Sequence, residues 1–172
     1  MKSIKQIALT ILLTIGAFSA ITYTACNKDA CSGVTCQNGG TCASGTCTCS
    51  TGYEGDRCQT ISRDKFDKSW SASETSSGTG GTASLAYTAT IAANTNSTDV
   101  TKVVIGGIAN GLFTSATTAN VTATSITIPS QQPDNDGYVI AGSGTYANGQ
   151  ITWNYTVTNP NNAVLTFTGI WQ

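Results

Sequence analysis

The chain has 172 residues, room for one ordinary domain and a small one. Its formal charge is −1 and 10% of its residues are charged, low against ~25% in typical soluble domains, so no basic field exists to hold nucleic acid. There is no histidine, which removes the commonest general base and the commonest metal ligand together.

The amino terminus reads as an address. Lys2 and Lys5 precede an almost wholly apolar stretch over 7–21. A spanning helix wants ~20 apolar residues and a secretory signal core only ~7–15, so 1–25 is expected to be an export signal. Cys26 follows directly, in Tyr23-Thr24-Ala25-Cys26. That stretch resembles the lipobox of bacterial lipoproteins, with Tyr23 where an aliphatic residue is usual. The resemblance implies that Cys26 is lipidated and becomes the first residue of the mature chain. Several acyl chains, at ~0.8 kcal/mol per buried methylene, would anchor it stably. Residues 26–30 then serve as lipidated terminus and tether. Asn27-Lys28-Asp29 partly resembles the short acidic export signal of Bacteroidetes-type surface lipoproteins, which implies a surface-exposed place on the outer membrane.

Six further cysteines, Cys31, Cys36, Cys42, Cys47, Cys49 and Cys58, are separated by four, five, four, one and eight residues. A segment this short cannot bury enough apolar surface to fold unaided, so covalent staples are expected, in keeping with an oxidising, exported location. Spacing alone leaves fifteen pairings open. The runs Cys36-Gln37-Asn38-Gly39-Gly40-Thr41-Cys42, Cys47-Thr48-Cys49 and Gly52-Tyr53-Glu54-Gly55-Asp56-Arg57-Cys58 resemble an EGF-like module over 31–58. That resemblance implies the pairs Cys31–Cys42, Cys36–Cys47 and Cys49–Cys58. Asn38-Gly39 and Gly52 supply the positive-φ positions of tight turns. Asp29 alone does not furnish the six to eight oxygens a calcium ion takes, so the module is expected to be a spacer or protein-contact unit.

After a linker over 59–68 the texture changes to period-two alternation over 69–172. In 151–158, Ile151, Trp153, Tyr155 and Val157 share one face and Thr152, Asn154, Thr156 and Thr158 the other, a strand with one buried side. Asn148-Gly149 between it and 138–147 is a strong hairpin signal. Further strands are expected over 69–75, 83–92, 100–108, 119–124, 125–128 and 163–171. Turn clusters fall at 76–81, 94–98, 129–137 and 159–162. The fold class is therefore all-β: a small disulfide-rich module, then an antiparallel meander, up-and-down and barrel-like, with a sandwich as second choice. The shape resembles that of lipocalins, although the glycine they carry two positions before the first tryptophan is Lys68 here. Gly142 to Gly149, with Ile151 and Tyr155, resembles the all-β domain behind EGF-like modules in Bacteroidetes-type lipoproteins. This implies architecture and location, not activity.

Among the large aromatics, Trp153 and Tyr155 fit the core, while Trp171, Tyr138 and Tyr146 are candidate ligand contacts. Asp134-Asn135-Asp136-Gly137 matches the first beats of a calcium loop but lacks the later ligands, so turn chemistry is expected and no metal. No histidine can activate a serine and no free cysteine remains as nucleophile. Neither an enzyme nor a cofactor is expected. The sequence reading is a lipid-anchored surface protein whose spacer presents a β domain for binding or adhesion. The alternative is a carrier of a small apolar ligand in a barrel cavity. Partners are then the membrane, through the anchor, and an unknown protein, glycan or small apolar ligand.

Overall fold

The computed structural model describes residues 30–172; the export signal expected over 1–25, Cys26 and the 27–29 stretch lie outside the described residues. In the small amino-terminal unit, β1 (Thr41–Ala43) pairs with β2 (Thr46–Thr48), and β3 (Tyr53–Glu54) pairs with β4 (Thr60–Ile61). Disulfides join Cys31 to Cys42, Cys36 to Cys47 and Cys49 to Cys58, the same pairs that the EGF-like resemblance implies. Asn38, Gly39 and Gly52 all adopt positive φ.

Eight strands then form one closed antiparallel barrel: β5 (Lys68–Gly78), β6 (Gly81–Ala93), β7 (Lys102–Gly106), β8 (Thr117–Val121), β9 (Ser125–Gln131), β10 (Val139–Ala147), β11 (Gln150–Thr158) and β12 (Val164–Trp171). Every neighbour in the sheet is a neighbour in sequence, except where β12 closes on β5. Ser71 and Gln172 exchange both backbone bonds there, at 2.8 and 3.0 Å. Closure abolishes the free edges that an open meander would present. It also settles the choice between barrel and sandwich in favour of the barrel.

The alternation holds. Trp70, Ala72 and Glu74 of β5 are buried, as are Ile151, Trp153, Tyr155 and Val157 of β11. Each large apolar side chain so buried is worth about 1.5–3 kcal/mol. Room for these rings comes from glycines on facing strands. A Cβ on Gly142 would stand 2.3 Å from Tyr155 Cβ, and one on Gly144 would stand 2.6 Å from Ile151 Cγ2 and 3.1 Å from Trp153 Cδ2.

Several boundaries differ from expectation, each for a local reason. The 76–81 stretch is not a six-residue turn, because β5 and β6 continue to a two-residue tip at Thr79-Gly80. The strand expected to reach Ile108 stops at Gly106, since Gly107, Ala109, Asn110 and Gly111 all take left-handed φ. The strand expected to reach Thr124 stops at Val121, where the Thr122 hydroxyl accepts from the backbone N–H groups of Thr124 and Ser125. β9 runs through Pro129, which lacks an N–H and sits at a bulge where pairing shifts from Gly142↔Ile128 to Ile140↔Gln131.

The 59–68 stretch is a folded joint. Thr60–Ile61 belongs to the small sheet, and a single 3₁₀ turn over Ser62–Lys65 delivers fully buried Phe66 to the barrel. Trp70 Nε1–H donates to Phe66 O at 2.9 Å, and the Phe66 ring packs 5.0 Å from Tyr146. The Gly52 backbone sits against Val100 and Thr101, where a Cβ would fall 2.6 Å from Val100 Cγ2. Lys65 pairs with Glu54 at 2.6 Å. The stapled unit therefore docks at the end of the barrel that carries the β6–β7 loop. Among the described residues no helix is long and apolar enough to cross a membrane.

Candidate functional site

Strand directions place the Thr79-Gly80 tip and the loops over 107–116, 132–138 and 159–163 at the opposite end of the barrel from the stapled unit. Two of these loops are tied together by Asp134. Its carboxylate accepts from Thr114 N at 2.8 Å, Thr114 Oγ1 at 3.0 Å and Ser115 N at 2.6 Å. Those backbone donors hold the Asp134 carboxyl at about 2, below the usual range. Asp136 accepts from Tyr138 N at 3.0 Å, while Asn135 and Gly137 take positive φ. The Asp134–Gly137 run is turn chemistry, as its composition suggests. Among the described residues no group of three or more His, Cys, Asp or Glu side chains is gathered as a metal site. In the last loop, Asn159 Oδ1 accepts from the N–H groups of Asn161 and Ala163, both at 2.9 Å.

These pinned loops surround a pocket of about 240 Å³ whose apolar walls are Leu112, Tyr138, Val157, Val164 and Leu165. The described residues leave four large apolar side chains exposed, and three of them, Leu112, Val164 and Leu165, line this pocket. Scattered exposed leucines need no explanation, but their convergence on one concavity does. A larger groove of about 420 Å³ lies on the outer wall among Ser73, Thr75, Gln150, Thr168 and Gln172, and Glu74 and Gly169 form part of its lining. It is open, and its polar side chains other than Glu74 are exposed or half-buried, so it is the weaker candidate.

Below the pocket the barrel holds a buried carboxylate. Glu74 is 3% exposed. Trp171 Nε1–H donates to its Oε1 at 2.6 Å, and the hydroxyls of Tyr87 and Tyr155 donate to its Oε2, each at 2.7 Å. Gly169 faces Glu74 across the β5–β12 seam, and a Cβ there would stand 2.6 Å from Glu74 Cγ and 2.3 Å from Ser73 O. Burial first of all, with the Glu74 charge adding to it, raises the Tyr87 phenol well above its usual range. Tyr155 is raised further, by burial and then by the charges of Tyr87 and Glu74. Both hydroxyls therefore stay protonated and remain donors. The left-handed turn at Ile108–Gly111 packs against β6, the strand that carries Tyr87. Ala109 and Asn110 in that turn have φ of 52° and 56°, a conformation that costs a non-glycine residue about 1–2 kcal/mol.

The three aromatics singled out from the sequence separate. Tyr138 lines the pocket. Trp171 is fully buried in the core with its N–H on Glu74. Tyr146 lies at the other end of the barrel, between Phe66, Trp70 and the Lys65 ammonium. Glu74 itself had a legible signal, because it continues the inward phase of Trp70 and Ala72. Leu112 had none, since nothing in a glycine-bounded loop says where its side chain goes.

No family model matches the chain, and no curated protein matches it. Among solved structures it is similar to that of EF1p2_mFAP2b bound to DFHBI, with 16% sequence identity and a TM-score of 0.43 over 66% of this chain and 98% of that one.

Proposed function

We propose that the chain is an exported, lipid-anchored surface protein in which an EGF-like spacer presents a barrel that binds a small apolar group at its loop end. One observation carries the reading. The stapled unit occupies one end of the barrel, through Gly52 against Val100 and Thr101, and the apolar pocket opens at the other. An anchor at Cys26, just before that unit in the chain, would leave the pocket facing away from the membrane. The interior is filled by Trp70, Trp153, Trp171, Tyr155 and Phe167, so the ligand sits in the mouth rather than in an enclosed central cavity. A pocket of about 240 Å³ is smaller than the ~300–1,000 Å³ that holds a drug-sized molecule. It suits a short alkyl chain or one apolar side chain of a partner protein. The proposal assigns no catalytic residue and no cofactor.

The test has two arms. Cys26→Ser is expected to move the protein from the membrane fraction to the soluble one, and continued membrane partition would overturn the anchor. Leu112→Glu with Leu165→Glu is expected to weaken binding of an environment-sensitive apolar dye about tenfold or more while the melting temperature holds. Unchanged dye binding would overturn the mouth.

A further inference from the structure

We propose that the loop-end mouth docks a partner protein through a basic segment, one apolar side chain of which fills the pocket while neighbouring Lys or Arg side chains meet Asp134 and Asp136. The inference rests on the mouth reading above and names the occupant.

The first ground is charge. The described residues hold five Lys and Arg side chains, and all five belong to the stapled end. Arg57, Arg63 and Lys65 lie in that unit and its joint, and Lys68 and Lys102 open β5 and β7 there. The charged residues of the loop-end loops are Asp134 and Asp136, with no cation among the described residues to offset them. Asp134 is ionised at neutral pH, since backbone donors hold its carboxyl at about 2. Uncancelled carboxylates beside an apolar hollow favour a cationic partner. They also disfavour a second copy of this chain, because mouth-to-mouth contact would set like charges against one another.

The second ground is position. Asp134 is bonded to Thr114 and Ser115, in the same short loop as pocket-lining Leu112. Asp136 Oδ1 accepts from the backbone N–H of Tyr138, another wall of the pocket. Gly137, between them in the chain, lies against the last loop, where a Cβ would fall 3.0 Å from Pro160 Cγ. Pro160 is next to pocket-lining Asn159. Both carboxylates therefore stand on the rim of the hollow. Asp136 is exposed, and its Oδ2 accepts no hydrogen bond among the described residues, so acceptor positions are left there for a cation.

The third ground is shape. The hollow of about 240 Å³ has room for one apolar side chain, yet Leu112, Val164 and Leu165 remain 44%, 46% and 39% exposed around it. A short alkyl ligand that fills the hollow leaves the outer faces of these three wet. A segment laid across the rim covers them as well, which accounts for their clustering. The loops need little ordering on binding, because Asp134 ties 107–116 to 132–138 and Asn159 closes 159–163 on itself. A preformed surface of this kind lowers the cost of association.

The experiment is a chemical-shift titration of the full chain at neutral pH with three acetylated and amidated tripeptides, Lys-Leu-Lys, Glu-Leu-Glu and Lys-Ser-Lys, and with hexan-1-ol as the uncharged probe. At ~20 mM salt, Lys-Leu-Lys is expected to bind about tenfold or more tightly than either other peptide, with shifts at Leu112, Tyr138 and Leu165. Raising the salt to ~0.5 M is expected to cut its advantage over Glu-Leu-Glu to about threefold or less. Asp136→Ser removes the charge but keeps a hydroxyl that can accept from the N–H two residues on, and is expected to weaken Lys-Leu-Lys about threefold at low salt. Equal binding of the two leucine peptides, full Lys-Leu-Lys affinity in Asp136→Ser, or Lys-Ser-Lys binding as tightly as Lys-Leu-Lys would each overturn the basic segment. Binding of hexan-1-ol at the mouth with no peptide bound at millimolar concentration would overturn the docking and leave the mouth as a small-ligand site. Binding of no probe would overturn both.

Discussion

Glu74 and Gly169 face each other across the seam that closes the barrel, and each accounts for the other. The carboxylate turns inward because the residue opposite has no side chain to collide with its Cγ. Gly169→Ala should therefore destabilise by about 1–3 kcal/mol through overpacking, read as a lower denaturant midpoint with an unchanged slope. Glu74→Ala should cost about 3 kcal/mol or more, because Trp171, Tyr87 and Tyr155 lose their acceptor together. A cost below that of a surface substitution would mean the network is not formed. The two phenols add a pH dependence. Their folded pKa values are raised, so the folded state holds protons that the unfolded chain gives up near pH ~10. Their contribution is full below that value and is lost as pH rises past it. Alkaline unfolding should move to higher pH in Tyr155→Phe relative to its own neutral-pH stability, as followed by circular dichroism. At this scale the sequence was half legible. Period-two phase places Trp153, Tyr155 and Glu74 inside. It cannot say that Trp171 turns to Glu74, because that contact joins residues almost a hundred positions apart.

At the scale of elements, the eight strands were readable and their ends were not. Alternation and the Asn148-Gly149 turn mark β10 and β11, and both turn residues do take positive φ. Ends depend on contacts that a local pattern does not contain. The Thr122 hydroxyl stops β8, and bulge geometry lets β9 pass through Pro129. The mouth was least legible, since its walls come from four separate loops and strand ends. Asp134 fixes two of those loops through Thr114 and Ser115. Its pKa is depressed from the usual ~3.9 to about 2, so the clamp is complete at neutral pH and is lost as pH falls through that window. Amide exchange at Thr114 and Ser115 should accelerate between pH 4 and 2 after correction for intrinsic rates, and should be fast at all pH values in Asp134→Ala. Protection that is indifferent to both would contradict the clamp.

For the whole molecule, two kinds of stabilisation divide the chain. The small unit is held by three disulfides that close short loops, with sequence separations of 11, 11 and 9 residues, while the barrel is held by its aromatic core. Reduction should therefore unfold 31–58 and leave the barrel's tryptophan fluorescence in place, because no cysteine lies beyond Cys58. Loss of barrel signal on reduction would show that the joint at Ser62–Lys65 couples the two more tightly than its contacts suggest. The two ends of the barrel are chemically unlike: one is plugged by Phe66 and covered by the stapled unit, the other is ringed by pinned loops around an apolar hollow. The most direct measurement is a chemical-shift titration of the isotope-labelled chain with hexan-1-ol. Perturbations confined to Leu112, Tyr138, Val157, Val164 and Leu165 are the predicted result. Perturbations centred on the outer wall at Ser73 and Thr168, or on Tyr146 at the plugged end, or none at millimolar probe, would contradict the loop end as the binding site.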